Sequence, residues 1–485
     1  MRSSVIEDYD YDCINTGRLL YRDGSLPRNK LYYESSIALN IPISFLEDDL
    51  TNEVLRTTYE KVKAEMYRTN ILIIKNVSES FLRNIGSLLD FKYIHTLIFH
   101  TGNLNFIPAN IFTCIPSLKP EIIYFVKDPS LQVYGDRNNF DNFGNTIPDR
   151  VKKIIVSDCS NDIDLLSRMF RQCEIGKFET LSLSTDFYTS LNSPDQASNM
   201  YILLKSFKNV KIFLKVILSN NDIELPIRVL LSDSLNINEP IPWKMSYAII
   251  LLYKDPLHYN PHEIVQIENT EKYPYIETLV ISRSVDCTSL LTPINTETLH
   301  NKLTLMTNLT SLHIDYDLIL SFKDFCGSLS GSLRTIKIRE CFNLKVGDLR
   351  YLSQKCQRIE CLYLQDIKSS RINLKEILKT FKNVQYVFLQ YKRFFPKQNV
   401  IRDIKEGDKL KFPPIKFVMI TCEKFNSRQL EEIERLEKNT PRKIGQFIFL
   451  PDINVPGSSL IYSSFIFQQN SSEFSNINNI LHCIW

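Results

Sequence analysis

Apolar residues recur along this chain in a short motif, at its first, fourth and sixth positions, with polar or mixed residues between them. Leu333, Ile336 and Ile338 form one copy. Ile359, Leu362 and Leu364 form the next, followed by Val384, Val387 and Leu389, then Ile415, Val418 and Ile420. Upstream copies start at Leu309, Ile276, Phe178, Val151 and Ile94, with less regular ones near Glu121, Val210, Tyr247 and Ile444. Such alternation over a few residues is the signature of a strand with one buried face. Between copies the apolar spacing changes to three and four: Leu349, Leu352 and Cys356 in one interval, Leu374, Ile377, Leu378 and Phe381 in the next. Those residues share one face of a helix. The starts at Leu309, Leu333, Ile359 and Val384 are almost evenly spaced. Each repeat therefore has room for one short strand, a turn and one helix. Neither element can bury its apolar face alone, so neighbouring repeats must stack.

From Ile94 to Ile444 the array advances about 29 residues per step, at the upper edge of the range for leucine-rich repeats. The segment Leu333-x-x-Ile336-x-Ile338-x-x-Cys341-x-x-Leu344, continued by Asp348, Leu349, Leu352, Cys356 and the next copy at Ile359, resembles the cysteine-containing leucine-rich repeat. A partial match starts at Val151, with Cys159 and Cys173 at the two cysteine positions. The resemblance implies an α/β leucine-rich-repeat solenoid, a horseshoe with a parallel sheet on the concave face and helices outside. That repeat subclass is typical of F-box proteins, which select substrates for cullin–RING ubiquitin ligases. The implied function is non-catalytic protein recognition, with the concave face holding a protein substrate and the N-terminal region meeting the cullin adaptor.

The N-terminal region, 1–93, is where an F-box would lie. Leu26-Pro27 is followed by Ile37, Leu39, Phe45 and Asp49-Leu50, but Thr51-Asn52-Glu53 replaces the usual apolar run and no basic-Trp ending follows. The box is degenerate or absent. Thr51–Thr69 reads as an amphipathic helix, with Leu55, Tyr59, Val62 and Met66 on one side. Ile71–Ile74 reads as the first capping strand of the solenoid, which is assigned to 94–450 and is irregular over 192–272. In the tail, 451–485, Leu460–Phe467 reads as an edge strand capping the last repeat.

With strand positions one, four and six turned to the core, the residues between them line the opposite face of the sheet. There the clearest repeats present His313 and Asp315, then Lys337 and Arg339, Tyr363 and Gln365, Phe388 and Gln390. Strands about 4.8 Å apart would join these into one ladder. Tyr, Phe and Arg are also enriched where interfaces concentrate their binding energy. These eight residues are the candidate partner-binding set. The alternative readings are a leucine-rich adaptor or scaffold without a ligase link, or a binder of acidic partners through 366–416. In that stretch 13 Lys or Arg face 5 Asp or Glu, a local +8 against a whole-chain charge of +3. Nucleic acid is disfavoured for want of a motif.

Composition removes other classes. Thirteen glycines in 485 residues leave little for phosphate loops or flexible linkers. No nucleophile elbow, Walker loop, dinucleotide fingerprint, kinase signature or zinc-protease helix occurs, so neither catalysis nor a cofactor is expected. Eleven cysteines contain no Cys-x-x-Cys pair, and His258 and His262 are separated by Pro261, which leaves no zinc spacing. Asp8, Asp10 and Asp12 lack the glycine and distal glutamate of a calcium loop. The longest clean apolar run, Tyr247–Tyr253, is too short to span a membrane. With no secretory signal, the expected location is inside the cell, cytoplasmic or nuclear, where thiols stay reduced. Cys341 and Cys159 are expected inside repeat turns, and Cys356 and Cys173 at helix ends facing the core.

Overall fold

The computed structural model describes residues 35–40, 69–75, 79–88, 90–127, 143–156, 162–186, 194–218, 243–253, 270–283, 296–369, 371–394, 415–424, 446–454 and 461–468, and single positions within 427–435. These fall into two compact units, 35–215 with 243–247 and 216–218 with 248–468.

The first unit strings parallel strands together in chain order. β1 (Ser35–Asn40), β2 (Thr69–Lys75), β3 (Thr96–Thr101), β4 (Ile122–Lys127), β5 (Lys153–Val156), β6 (Phe178–Asp186) and β7 (Phe207–Leu218) each pair with the next. Helices α1 (Glu79–Leu88), α2 (Ile111–Cys114), α3 (Phe143–Thr146), α4 (Ile163–Phe170) and α5 (Pro194–Leu204) lie in the connections. Between the layers Phe99 stacks on Phe125 at 5.3 Å, and Phe143 meets both rings edge-on.

The division between the units falls after Lys215 within β7 and again after Tyr247 within β8 (Lys244–Tyr253). In the second unit β9 (Ile276–Arg283), β10 (Ser311–Asp315), β11 (Thr335–Arg339), β12 (Cys361–Ile367), β13 (Tyr386–Phe394) and β14 (Phe417–Lys424) continue the same parallel pattern. Helices α6 (Thr296–Leu305), α7 (Phe322–Ser328), α8 (Val346–Lys355) and α9 (Leu374–Thr380) alternate with them. One strand and one helix in most of the described repeats, with β1 to β14 ordered as in the sequence, is the leucine-rich-repeat solenoid architecture.

The apolar motif sets the register. Leu312, Ile336, Leu362 and Val387 align across β10 to β13, as do Ile314, Ile338, Leu364 and Leu389, and all are essentially inaccessible to solvent. Each such side chain contributes roughly 1.5–3 kcal/mol by burial. A backbone device reinforces the pairing. The carbonyl of the second residue of a repeat accepts two N–H groups from the following repeat: His95 from Glu121 and Ile122, Glu121 from Lys152 and Lys153, Lys152 from Glu179 and Thr180. The second unit repeats it at Thr310, Arg334, Glu360 and Gln385. Polar residues start the helices, with Asn373 Oδ1 accepting the Glu376 N–H at 3.0 Å and Ser321 Oγ that of Asp324.

The cysteines behave as the repeat pattern predicts. Cys341 is fully buried in the turn after β11; its Sγ donates to Ile338 O at 3.2 Å and its N–H to Gln365 O at 3.0 Å. Cys356 follows α8, buried, with Sγ donating to Ser330 O. Cys173 is also buried, beside Gly144 in the core; Cys159 lies outside the described residues. A Cβ at Gly144 would press on Cys173 Sγ and stand 2.7 Å from Met169 O. Gly144→Ala is therefore expected to destabilise the protein by about 1–3 kcal/mol. A thermal melt matching that of the unchanged chain would show that α3 and α4 are not so closely packed.

Both ends depart from the sequence expectations. Ile71–Ile74 is not the first strand, because β1 pairs with β2 ahead of it. Ile37 and Leu39, weighed above as residues of a degenerate box, lie in β1; a parallel partner strand offered them backbone pairing that a local pattern could not reveal. At the other end, Leu460–Phe467 corresponds to β16 (Ile461–Gln468), which pairs with β14 antiparallel. The outermost strand is β15 (Gln446–Asn454), antiparallel to β16, so the copy near Ile444 does not extend the parallel array. Leu26-Pro27, Phe45, Asp49-Leu50, residues 51–68, the acidic triplet, His258 and His262 lie outside the described residues.

Candidate protein-recognition face

The expected ladder exists as a row of neighbours. His313 aligns with Lys337, Lys337 with Tyr363, and Tyr363 with Phe388. In the second row Asp315 aligns with Arg339, while Gln365 and Gln390 occupy the same positions on β12 and β13. The sequence reading differs from the structure in exposure. His313, Asp315, Lys337, Tyr363, Phe388 and Gln390 are all buried, and only Arg339 and Gln365 are partly open.

The reason is lateral packing. Large side chains on strands about 4.8 Å apart shield one another. Tyr363 and Phe388 lie 5.5 Å apart, and Phe388 continues to Phe417 at 5.3 Å. Lys337 Nζ sits 4.8 Å from the Tyr363 ring centre, a cation–π contact. Arg339 donates from Nε and Nη2 to the two oxygens of Asp315, at 2.6 and 2.8 Å. The fork geometry of this pair is the strong form of an ion pair. Burial, with the Arg339 charge adding to it, pushes the Lys337 ammonium well below the ordinary lysine range; Asp315 opposes both.

The open groups gather at the rim, where the strands end. Glu340 and Asp366 occupy the same slot in successive repeats, and both have left-handed backbone, with φ of 54° and 60°. That conformation is uncommon for residues other than glycine. Burial raises the pKa of each carboxyl. For Glu340, repulsion from Asp366, Asp317 and Asp315 adds to it and Arg339 opposes it; for Asp366, Lys392 and Arg339 oppose it and Asp315 adds to it. Phe342, two residues beyond Glu340, is partly exposed, with Lys368 Nζ 4.3 Å and Lys392 Nζ 4.5 Å from its ring centre. Lys368 and Lys392 belong to the basic stretch singled out in the sequence. Glu340, Phe342 and Asp366 were missed, although the shared slot of the two acids was visible in the repeat alignment.

The thiols near this face are not activated. Burial raises those of Cys356 and Cys361 to about 12 and pushes that of Cys341 well above the ordinary thiol range, so all three stay protonated at neutral pH. Among the described residues no group of three or more His, Cys, Asp or Glu could hold a metal ion. No described helix is long and apolar enough to cross a membrane.

No family model matches the chain, and no curated protein is significantly similar to it. Among solved structures, the chain resembles one described as the Toll–Spatzle complex, a molecular hub in Drosophila development and innate immunity. The identity is 13% and the TM-score 0.21, over 73% of this chain and 54% of that one. A glycosylated form of the same complex gives 14% identity and a TM-score of 0.21, over 75% and 56%. The chain thus spans about half the length of these structures. The repeat assignment rests on strand order and register.

Proposed function

We propose that this chain is a non-catalytic protein-recognition module, meeting its partner at the rim of the second unit. The observation that carries this reading is the partly open set Arg339, Phe342, Gln365, Lys368 and Lys392, mounted on a ladder whose own side chains are locked by packing. Aromatic and arginine side chains on a rigid scaffold are the usual anchors of a protein interface. The interior of the ladder supports the rim. Substituting Arg339 or Tyr363 would therefore disturb stability as well as binding, and the test belongs on Gln365 and Lys368. Pull-downs with the full chain and with Q365A/K368A should differ by loss of a defined prey, which a K355A/K379A control on helices α8 and α9 retains. Identical prey from all three would sink the assignment.

A more specific form of the reading is a substrate receptor of a cullin–RING ligase. Its support is the resemblance of the Cys341 and Cys356 repeat to those of F-box proteins. Under that form the full chain captures the cullin adaptor and L26A/P27A does not. A full chain that captures no adaptor leaves the adaptor or scaffold role.

A further inference from the structure

Phe342, Lys368 and Lys392 are far apart in sequence and come from three successive repeats: the turn after β11, the end of β12 and the C-terminal half of β13. The fold brings both ammonium groups onto one aromatic ring. Such contacts hold two long, otherwise mobile side chains in place before any partner arrives, which lowers the ordering cost of binding. Neither ammonium has a carboxylate within ion-pair distance among the described residues, although Asp366 is close enough to feel the charge of Lys392. The neighbouring cation, Arg339, is already bound by both oxygens of Asp315. Two pre-positioned and uncommitted positive charges thus stand at a partly open rim.

Resting on the recognition reading above, we propose that the Lys368–Phe342–Lys392 cluster is the docking point for a carboxylate-rich segment of the protein partner. The surroundings favour a protein over a continuous polyanion. Asp366 lies near Lys392 and Glu340 near Asp366, and both acids would repel a nucleic-acid backbone or an anionic membrane laid across the rim. A peptide can place one or two carboxylates between the lysines and leave its uncharged positions over the acids.

The test uses purified full-length chain and a fluorescently labelled Gly/Ser peptide carrying one central Glu-Glu pair, read by anisotropy. Binding is expected to weaken as salt rises from about 50 to about 200 mM. It should fall at least about tenfold in K368E/K392E, and clearly in K368Q/K392Q, which removes charge without reversing it. Phe342→Leu should cost about threefold, because the lysines lose their platform. K355E/K379E, the same charge change on α8 and α9, should bind as the unchanged chain does. Equal losses in the control and rim variants, or no loss in either, would overturn the proposal. So would tighter binding, dependent on the same lysines, to phosphatidylserine vesicles or oligothymidylate. Should the Glu-Glu peptide fail while Q365A/K368A still loses a defined prey, the carboxylate assignment falls and the recognition reading stands.

Discussion

Asp315→Ala is expected to destabilise the second unit by about 3–5 kcal/mol, the cost of removing one member of a buried ion pair. The Asp315 side chain is 1% exposed and that of Arg339 22%. Both oxygens of the carboxylate are committed to the guanidinium. Lys337 stands two residues before Arg339 on the same strand, so the substitution leaves two neighbouring cations without the carboxylate charge that offset them. Asp315→Asn keeps an acceptor oxygen and should cost less. Urea unfolding of the full chain measures both, as a shift in midpoint at unchanged slope. The double variant D315A/R339A should recover part of the loss, since the orphaned charge is gone. A single-variant cost below about 1 kcal/mol would show that solvent reaches the pair and screens it.

The second large effect has the opposite sign. Lys337→Met is expected to stabilise the unit by about 1–4 kcal/mol at neutral pH, the range seen when buried charges give way to apolar side chains of similar volume. Lys337 is 2% exposed, and its ammonium is held well below its value in the unfolded chain, first by burial and then by Arg339. A lysine whose folded pKa is depressed binds its proton more weakly in the native state. It therefore penalises folding at low pH, and the penalty is lost as pH rises from the folded pKa towards 10.5. The advantage of methionine should be largest in acid and shrink over that window. The contact with Tyr363 works against the gain. A variant less stable than the parent at every pH would mean that this cation–π contact outweighs the cost of burying the charge.

The repeats were legible because their information is local. Leu333, Ile336 and Ile338 declare a strand, Leu349 and Leu352 a helix, and the even spacing of successive copies declares stacking. Cys341 announced its turn for the same reason. Exposure was not legible. Whether Lys337 sees water depends on Tyr363, which is a whole repeat away in sequence and directly adjacent in the sheet. The rim failed similarly, since no local pattern unites Phe342 with Lys368 and Lys392. The ends were misread where pairing is non-local: β1 gains its identity from β2, and β15 from β16, which follows it in the chain.

The doubly accepting carbonyl at the second position of each repeat makes a demand on the genetic code that hydrophobicity does not. Its two donors are the N–H groups of the second and third residues of the following repeat. Side-chain chemistry there is nearly free, as Glu121, Lys152, Arg334 and Gln385 illustrate. Proline alone lacks the donor. A saturation library over the second positions should tolerate charge reversal, aromatic and small residues alike. Every codon beginning CC should be depleted there, and equally at third residues such as 335, 361 and 386, whose N–H groups belong to the strand pairing.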